Sequence, residues 1–278
     1  MILLDSEIRE ERSIGGGCIA NAKLVVLNDG REFFVKSGTS PESYRLEANG
    51  LTELAKANAI RVPKVIHFDN DKLILEYIKT GQKGSDFYAI FGQQLAKLHR
   101  YTSDSFGFYE DNFIGSSAQI NKVEDNAARH WTSFYMSYRL MYQFNFAVSK
   151  GYADPTFRKL YAKIESNIQQ ILGNPAEPPT LLHGDLWSGN YMVDNGGNPV
   201  LIDPAVYYGH READLAMTRL FGGFPNEFYK AYMSEFPLAD GWEYRENIYK
   251  LYHVLNHLNM FGSGYYAQAI ELMKYYVA

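Results

Sequence analysis

The segment Leu181-Leu182-His183-Gly184-Asp185-Leu186-Trp187-Ser188-Gly189-Asn190, followed by Ile202-Asp203-Pro204, decides how this chain reads. An apolar pair runs into His183-x-Asp185, Asn190 comes five residues after that aspartate, and a second aspartate follows a further strand-like run. This is the spacing of a phosphoryl-transfer loop. A hydroxyl attacking a γ-phosphate needs a carboxylate within hydrogen-bond reach to orient it and take its proton, and Asp185 suits that role. Charge gathering on the phosphate oxygens calls for Mg²⁺, a hard cation that takes carboxylate and amide oxygens; Asp203 and Asn190 supply them. A single Asp or Asn more often satisfies a turn. Four such residues at these separations point to chemistry.

Upstream of that loop the first 80 residues read as a small sheet in the order β-β-α-β-β. Residues 22–28 and 31–37 are strand-like and flank Asn28-Asp29-Gly30, a hairpin signal. Ser40-Pro41 supplies a helix cap with proline at the first helical position, and the helix runs to about Ala59. Residues 65–68 and 72–78 form a second hairpin across Asp69-Asn70-Asp71. Lys36 closes the second strand, where it would reach nucleotide phosphates if a helix carboxylate held it. Glu47 is the natural partner and Glu42 the reserve. Glu76, Tyr77 and Ile78 end the last strand, where adenine would bind through backbone groups. Gly15, Gly16 and Gly17 would let backbone amides approach phosphate oxygens. With Cys18, Ile19 and Ala20 they also read G-x-G-x-x-A, a dinucleotide pattern that should follow a strand and open a helix. Here a strand comes after, no convincing strand precedes, and a strand-loop-strand lid is the better reading.

Downstream the pattern turns helical. Phe87, Phe91, Leu95 and Leu98 repeat at helical spacing behind Ser85 as a cap. Further helices are expected over 127–149 and 155–172, then a proline-rich loop over 173–179. Short strands follow near 181–183, 191–193 and 200–202, and helix runs from Glu212 to the end. The expected division is a nucleotide-binding part, 1–80, and a helical catalytic and substrate part, 81–278.

Composition narrows the class. The 278 residues are 46% apolar and 21% charged with a net charge of −5, which describes a folded globular chain and disfavours a non-specific nucleic-acid binder. One cysteine excludes an internal disulfide framework and a cysteine-rich zinc site. Neither a secretory signal nor a run of about 18 apolar residues is present, so the expectation is a cytoplasmic protein without a membrane span. Aromatic residues reach 15%, enough to fill cores and also to stack on flat ligands. Cys18, in the glycine loop, suggests a redox-sensitive thiol, although a small residue tolerated in a turn is the plainer account.

The motifs at 181–190 and 202–217 (IDPAVYYGHREADLAM) closely resemble the fructosamine kinase (ketosamine-3-kinase) family, relatives of aminoglycoside and choline kinases. GGGCI at 15–19, FFVK at 33–36, FGF at 106–108, FGGFP at 221–225 and LNHLNMFG at 255–262 extend the resemblance over nearly the whole chain. The resemblance implies an α+β, protein-kinase-like fold of two lobes, with a small antiparallel sheet carrying one helix and a larger helical part. It implies ATP- and Mg²⁺-dependent phosphorylation of the sugar 3-hydroxyl of ketosamines such as glycated lysine, giving an unstable product that sheds its sugar. On that pattern Asp185 accepts the proton, Asn190 and Asp203 hold Mg²⁺, and Lys36 with Glu47 positions phosphate. Trp187 and His257 become substrate residues, although an indole in such a loop equally serves packing. Residues 118–139 match only loosely, which bears on substrate preference, and Ala20 stands where a full glycine pattern would have Gly.

Three other readings compete. One is a kinase of another small hydroxylated amine, such as an aminoglycoside, choline or homoserine. A nucleotide-binding homologue without catalysis is the second, and the retention of Asp185, Asn190, Asp203 and Lys36 argues against it. A metal hydrolase built on His183, Asp185 and His210 ranks last, because no helical His-x-x-x-His pair is present. Sugar size, carrier and oligomeric state are not legible in the sequence.

Overall fold

Strands β1 (Ile8–Ser13), β2 (Asn21–Leu27), β3 (Glu32–Ser37), β4 (Val65–Phe68) and β5 (Lys72–Glu76) form one antiparallel sheet in the order β1-β2-β3-β5-β4. The computed structural model describes residues 7–14, 21–123, 126–173 and 175–277. Gly15, Gly16, Gly17, Cys18 and Ala20 therefore lie outside the described residues, and with them the glycine-loop and thiol expectations.

β1 corrects the reading that no strand precedes the glycine loop. Its sequence, IREERS, is mostly exposed on both faces and shows no apolar alternation. Charges suit an edge strand, whose open side must not recruit another chain. The two hairpins form where their turn residues sit. Gly30, at φ +86°, donates to Leu27 O at 3.0 Å. Asp69 folds its carboxylate back onto the amides of Asp71 (2.9 Å) and Lys72 (3.1 Å).

Helix α1 (Pro41–Lys56) starts as its cap requires, Ser40 Oγ accepting from Ser43 N at 3.2 Å. It stops at Lys56 rather than Ala59, because Asn58 turns to φ +46°. β5 likewise ends at Glu76, two residues short of Ile78. In α2 (Phe87–Leu98) the apolar face is buried as the periodicity demands, but Asp86 and not Ser85 occupies the cap position.

Two short strands, β6 (Asn112–Ile114) and β7 (Ser117–Gln119), form a hairpin that the sequence reading missed. Three residues are too few to display a period. The expected helix over 127–149 is broken into a 3₁₀ turn (Asn126–Arg129), α3 (Trp131–Tyr135), a π-helical turn (Met136–Leu140) and α4 (Met141–Ser149). The π turn carries Arg139, which is fully buried. Its guanidinium lies 4.1 Å over the Tyr207 ring and donates to Ile120 O and Asn121 Oδ1, each at 2.6 Å. A single wide turn is a common way to re-aim one side chain from an α-helix.

α5 (Pro155–Leu172) has the predicted bounds and is capped by Asp154, which accepts from Phe157 N at 2.8 Å. Then come β8 (Thr180–Leu182), β9 (Tyr191–Val193), β10 (Pro199–Leu201) and β11 (Tyr207–Gly209), paired as β8 with β11 and β9 with β10. The carboxyl-terminal part is not one continuous helical run but α6 (Glu212–Thr218), α7 (Asn226–Glu235), α8 (Trp242–Phe261) and α9 (Tyr266–Lys274). One buried cluster joins Tyr44, Leu54 and Leu75 beneath the sheet to Phe91, Leu186 and Leu201 around the 181–190 loop. A second gathers Trp131, Phe157, Tyr249 and Leu255 among the helices. Among the described residues no helix is long and apolar enough to cross a membrane.

Candidate active site

The 181–190 loop leaves β8 and returns through β9 and β10, so Asp185, Asn190 and Asp203 come to one place from a short stretch of chain. His183 organises the turn. Its Nε2 faces Ile202 O at 2.9 Å, and a carbonyl only accepts, so Nε2 carries the hydrogen. Nδ1 is then free to accept from Asp185 N at 3.3 Å. Burial pushes the His183 imidazole below its usual pKa and keeps it neutral, which suits this bonding. With both ring nitrogens spent on the loop, His183 is not a ligand. His210 lies against Tyr249 OH (3.0 Å) and Glu177 (3.4 Å) instead, so the three-residue hydrolase arrangement is not assembled.

Beneath the loop sits a residue the sequence reading did not single out. Asp214, fully buried on α6, accepts the backbone N–H of His183 at 2.7 Å and of Gly184 at 2.8 Å. His99 reaches the same carboxylate at 3.2 Å and is itself held by Tyr232 OH at 2.8 Å. Burial works to raise the Asp214 pKa, but these hydrogen bonds and the neighbouring imidazoles leave it lowered. One signal was available: an acidic residue set within the apolar run Ala213, Leu215, Ala216, Met217. Gly184 is required here, being at φ +84° with Ala205 O where a Cβ would lie.

Asp185 itself is half-buried. Asn190 Nδ2 donates to its Oδ2 at 2.9 Å and to its backbone O at 2.8 Å. Burial pushes the Asp185 carboxyl up to about 7; the Asn190 hydrogen bond opposes the rise, and the charges of Asp214 and Asp203 add to it. A carboxyl whose pKa lies near neutrality is equipped to take a proton.

Lys36 crosses from β3 to meet one of the two carboxylates expected of it, Glu47, and a third that was not, Asp203. Its Nζ lies 2.7 Å from Glu47 Oε1 and also bonds Asp203 Oδ1. Burial alone would lower the ammonium pKa; Glu47 and Asp203 reverse this and hold it above the ordinary lysine value. Glu42 pairs with Arg45 at 3.7 Å and takes no part. Asp203 adopts φ +52°, unusual for a residue other than Gly or Asn, which turns its carboxylate toward Lys36. The hairpin β6–β7 secures the next residues: Asn112 Nδ2 donates to Val206 O at 2.7 Å and Gln119 Nε2 to Ala205 O at 3.0 Å.

These groups border a cavity of about 270 Å³ lined by Phe34, Lys36, Leu75, Ile78, Met192 and Asp203, among others. Glu76 and Tyr77 also line it. The Glu76 side chain, however, is engaged by Arg61 Nη2 at 2.6 Å and Lys64 N at 3.2 Å, and Arg61 Nη1 continues to Asp194 at 2.7 Å. Its contribution to a ligand is thus left to its backbone. The donor set suits Mg²⁺. Asp203 offers a half-exposed carboxylate, and Asn190 spends its NH₂ on Asp185, turning its amide oxygen the other way. Among the described residues no group of three such side chains forms a closed metal cage. Mg²⁺ ordinarily needs only one or two carboxylates beside substrate phosphates.

Trp187 and His257, expected at the substrate, are joined by a third ring. The Trp187 indole lies over Gly189, where a Cβ would come within 2.5 Å of it, and is 6.3 Å from Phe221. Phe221 is 4.6 Å from His257. His257 Nδ1 faces His253 O at 2.8 Å and so donates, which leaves Nε2 as an acceptor.

Comparison with known proteins identifies the family. The family model described as fructosamine kinase matches residues 3–278. A probable ketoamine kinase of Synechocystis is 40% identical over 276 residues, covering 96% of this chain and 90% of that protein. A chloroplastic protein-ribulosamine 3-kinase of Oryza sativa is 38% identical, covering 95% and 78%. A crystal structure of a Thermobifida fusca protein, provisionally named fructosamine-3-kinase, superposes with a TM-score of 0.88 at 31% identity, covering 97% and 94%. An aminoglycoside phosphotransferase at 14% identity, with a TM-score of 0.63 over 97% and 93%, shares the fold. The chain belongs to the fructosamine kinase family and has the protein-kinase-like fold.

Proposed function

As a member of that family the chain, we propose, transfers the γ-phosphoryl group of ATP to the 3-hydroxyl of a ketosamine sugar carried on an amine such as lysine. The observation that carries this reading is the convergence of Lys36, Glu47 and Asp203 at one cavity, with the Asp185 carboxyl near enough to feel the Asp203 charge and fixed by Asn190. The names of the ribulosamine and ketoamine kinases among its relatives support the substrate class.

In this reading residues 1–80 bind the nucleotide and 81–278 carry the base and substrate contacts. Adenine enters between Phe34, Leu75 and Ile78 and meets the backbone around Glu76 to Ile78. Lys36, kept cationic by its two carboxylates, neutralises phosphate charge, while Glu47 limits its rotamers. Asp185 orients the sugar hydroxyl and accepts its proton; Asn190 fixes that carboxylate in place. Asp203 and the Asn190 amide oxygen would hold Mg²⁺, which would supply positive charge to the phosphate oxygens. Trp187 presents an apolar face to sugar C–H groups, and His257 Nε2 accepts from a sugar hydroxyl. Phosphate at C3 is a good leaving group: loss of a C1 proton gives an enaminol that expels phosphate from C3, and water then hydrolyses the resulting C1 imine, freeing the amine and a 3-deoxy dicarbonyl sugar, which is deglycation.

The test is incubation with Mg²⁺-ATP and, separately, fructosyl-lysine, ribulosyl-lysine, choline and an aminoglycoside, read by phosphorus NMR. A signal at the sugar 3-position of a ketosamine is expected. Phosphorylation of choline or the aminoglycoside alone would move the chain to the neighbouring small-amine kinases. ATP binding without any transfer would make it a silent homologue.

A further inference from the structure

Three of the nine exposed large hydrophobic side chains among the described residues, Trp187, Phe221 and Phe261, lie in one aromatic strip, with His257 and Tyr265 completing it. The rings follow one another outward from the base loop: Trp187 to Phe221 at 6.3 Å, Phe221 to His257 at 4.6 Å, and His257 to Phe261 at 5.3 Å. Tyr265 flanks the outer end, 5.1 Å from His257 and 6.3 Å from Phe261. Clustering of this kind on a surface marks binding, whereas scattered single apolar residues do not. Two features argue that the strip is built. Phe221 holds its place at φ +55°, a strained conformation for an aromatic residue. Phe261, the most exposed of the nine at 64%, ends α8 beside Gly262 at φ +97°.

The strip begins two residues from Asp185 and is longer than the sugar needs. An extended lysine stem spans about 6 Å at ordinary bond lengths of about 1.5 Å, one step along these rings. The outer rings therefore lie where the chain bearing the lysine would run. No carboxylate belongs to the five rings, so what they offer is apolar contact, together with cation–π attraction for the ketosamine's secondary ammonium. We propose that Phe261 and Tyr265 form a carrier subsite that takes the polypeptide flanking a modified lysine, favouring apolar neighbours over acidic ones. This rests on the ketosamine reading above.

The experiment compares three substrates of the same sugar: the free glycated lysine, that residue within a leucine-flanked peptide, and within an aspartate-flanked peptide. For the wild type, KM is expected to be several-fold lower for the leucine-flanked peptide than for the other two, at similar kcat. Phe261→Ala, which alters an exposed side chain outside the catalytic loop, is expected to raise KM for that peptide several-fold and leave the free substrate unchanged. Tyr265→Leu is the second variant and should act in the same direction. Equal KM values for all three wild-type substrates, or an equal effect of both variants on free and peptide substrates, would overturn the subsite while leaving the ketosamine reading standing. Absence of transfer to all three by the wild type would overturn both.

Discussion

Asn190 donates its side-chain amide to the carboxylate of Asp185 across 2.9 Å, and so aims an acid that burial has brought close to neutrality. Asp185→Asn should abolish that function without harming the fold. Turnover is expected to fall by roughly 10²–10⁴-fold, the range a positioned base supplies, while nucleotide affinity measured by calorimetry stays within about threefold of wild type. Near-normal turnover by this variant would remove Asp185 from its assigned role.

The raised pKa also gives a pH dependence with a definite sign. The base must be deprotonated, so kcat/KM should climb as pH rises through about 7; at pH 6 it should be roughly a tenth of its plateau. Stability runs the other way. Between the ordinary carboxylate pKa, about 3.8, and about 7 the folded chain keeps a proton that the unfolded chain releases, so this group's contribution to stability falls as pH rises through that window. Asp185→Asn should therefore melt higher than wild type at pH 8, with the gain vanishing near pH 4. A flat activity profile between pH 6 and 8 would contradict the assignment.

Lys36→Met leaves Glu47 and Asp203 facing each other without the cation between them. ATP affinity should drop tenfold or more, and Tm should fall as well, since truncating one partner strands a buried charge. Glu47→Gln keeps a hydrogen-bond acceptor for Lys36 and should lose less of both. Isothermal titration with a non-hydrolysable ATP analogue and a melting scan measure the two effects. Undiminished nucleotide binding in Lys36→Met would rule out the phosphate-positioning role.

Asp214→Asn replaces one acceptor oxygen by an NH₂ group that cannot serve the amides of both His183 and Gly184. Stranding a buried donor costs about 1–3 kcal/mol, which at roughly 2–4 °C per kcal/mol for a chain of this size is a drop of several degrees in Tm. Turnover should fall more than ATP affinity, because the base loop loosens while the nucleotide cavity does not. The lowered Asp214 pKa means its stabilisation is present above about pH 3.8 and lost as pH falls below that value. Wild type and variant should thus converge in acid, as melting at pH 3 and pH 7 would reveal.

The catalytic loop was legible because its chemistry is local. His183, Asp185 and Asn190 lie within eight residues, and their spacing along one turn is enough to state their roles. The helix cap at Ser40 and the hairpin at Gly30 were readable for the same reason: each is a bond between near neighbours. The chain by itself thereby determined the fold class, the elements carrying Lys36 and Glu47, and the base loop. Tertiary structure alone decided that Lys36 meets Asp203 across 167 residues and that Asp214 and His99 hold the loop from below. It alone decided that a π turn buries Arg139, and that Phe221 links Trp187 to His257. Periodicity says which face of an element is buried but not which distant group it meets there. In a low-dielectric interior that partner decides whether a charge is tolerated and what it does.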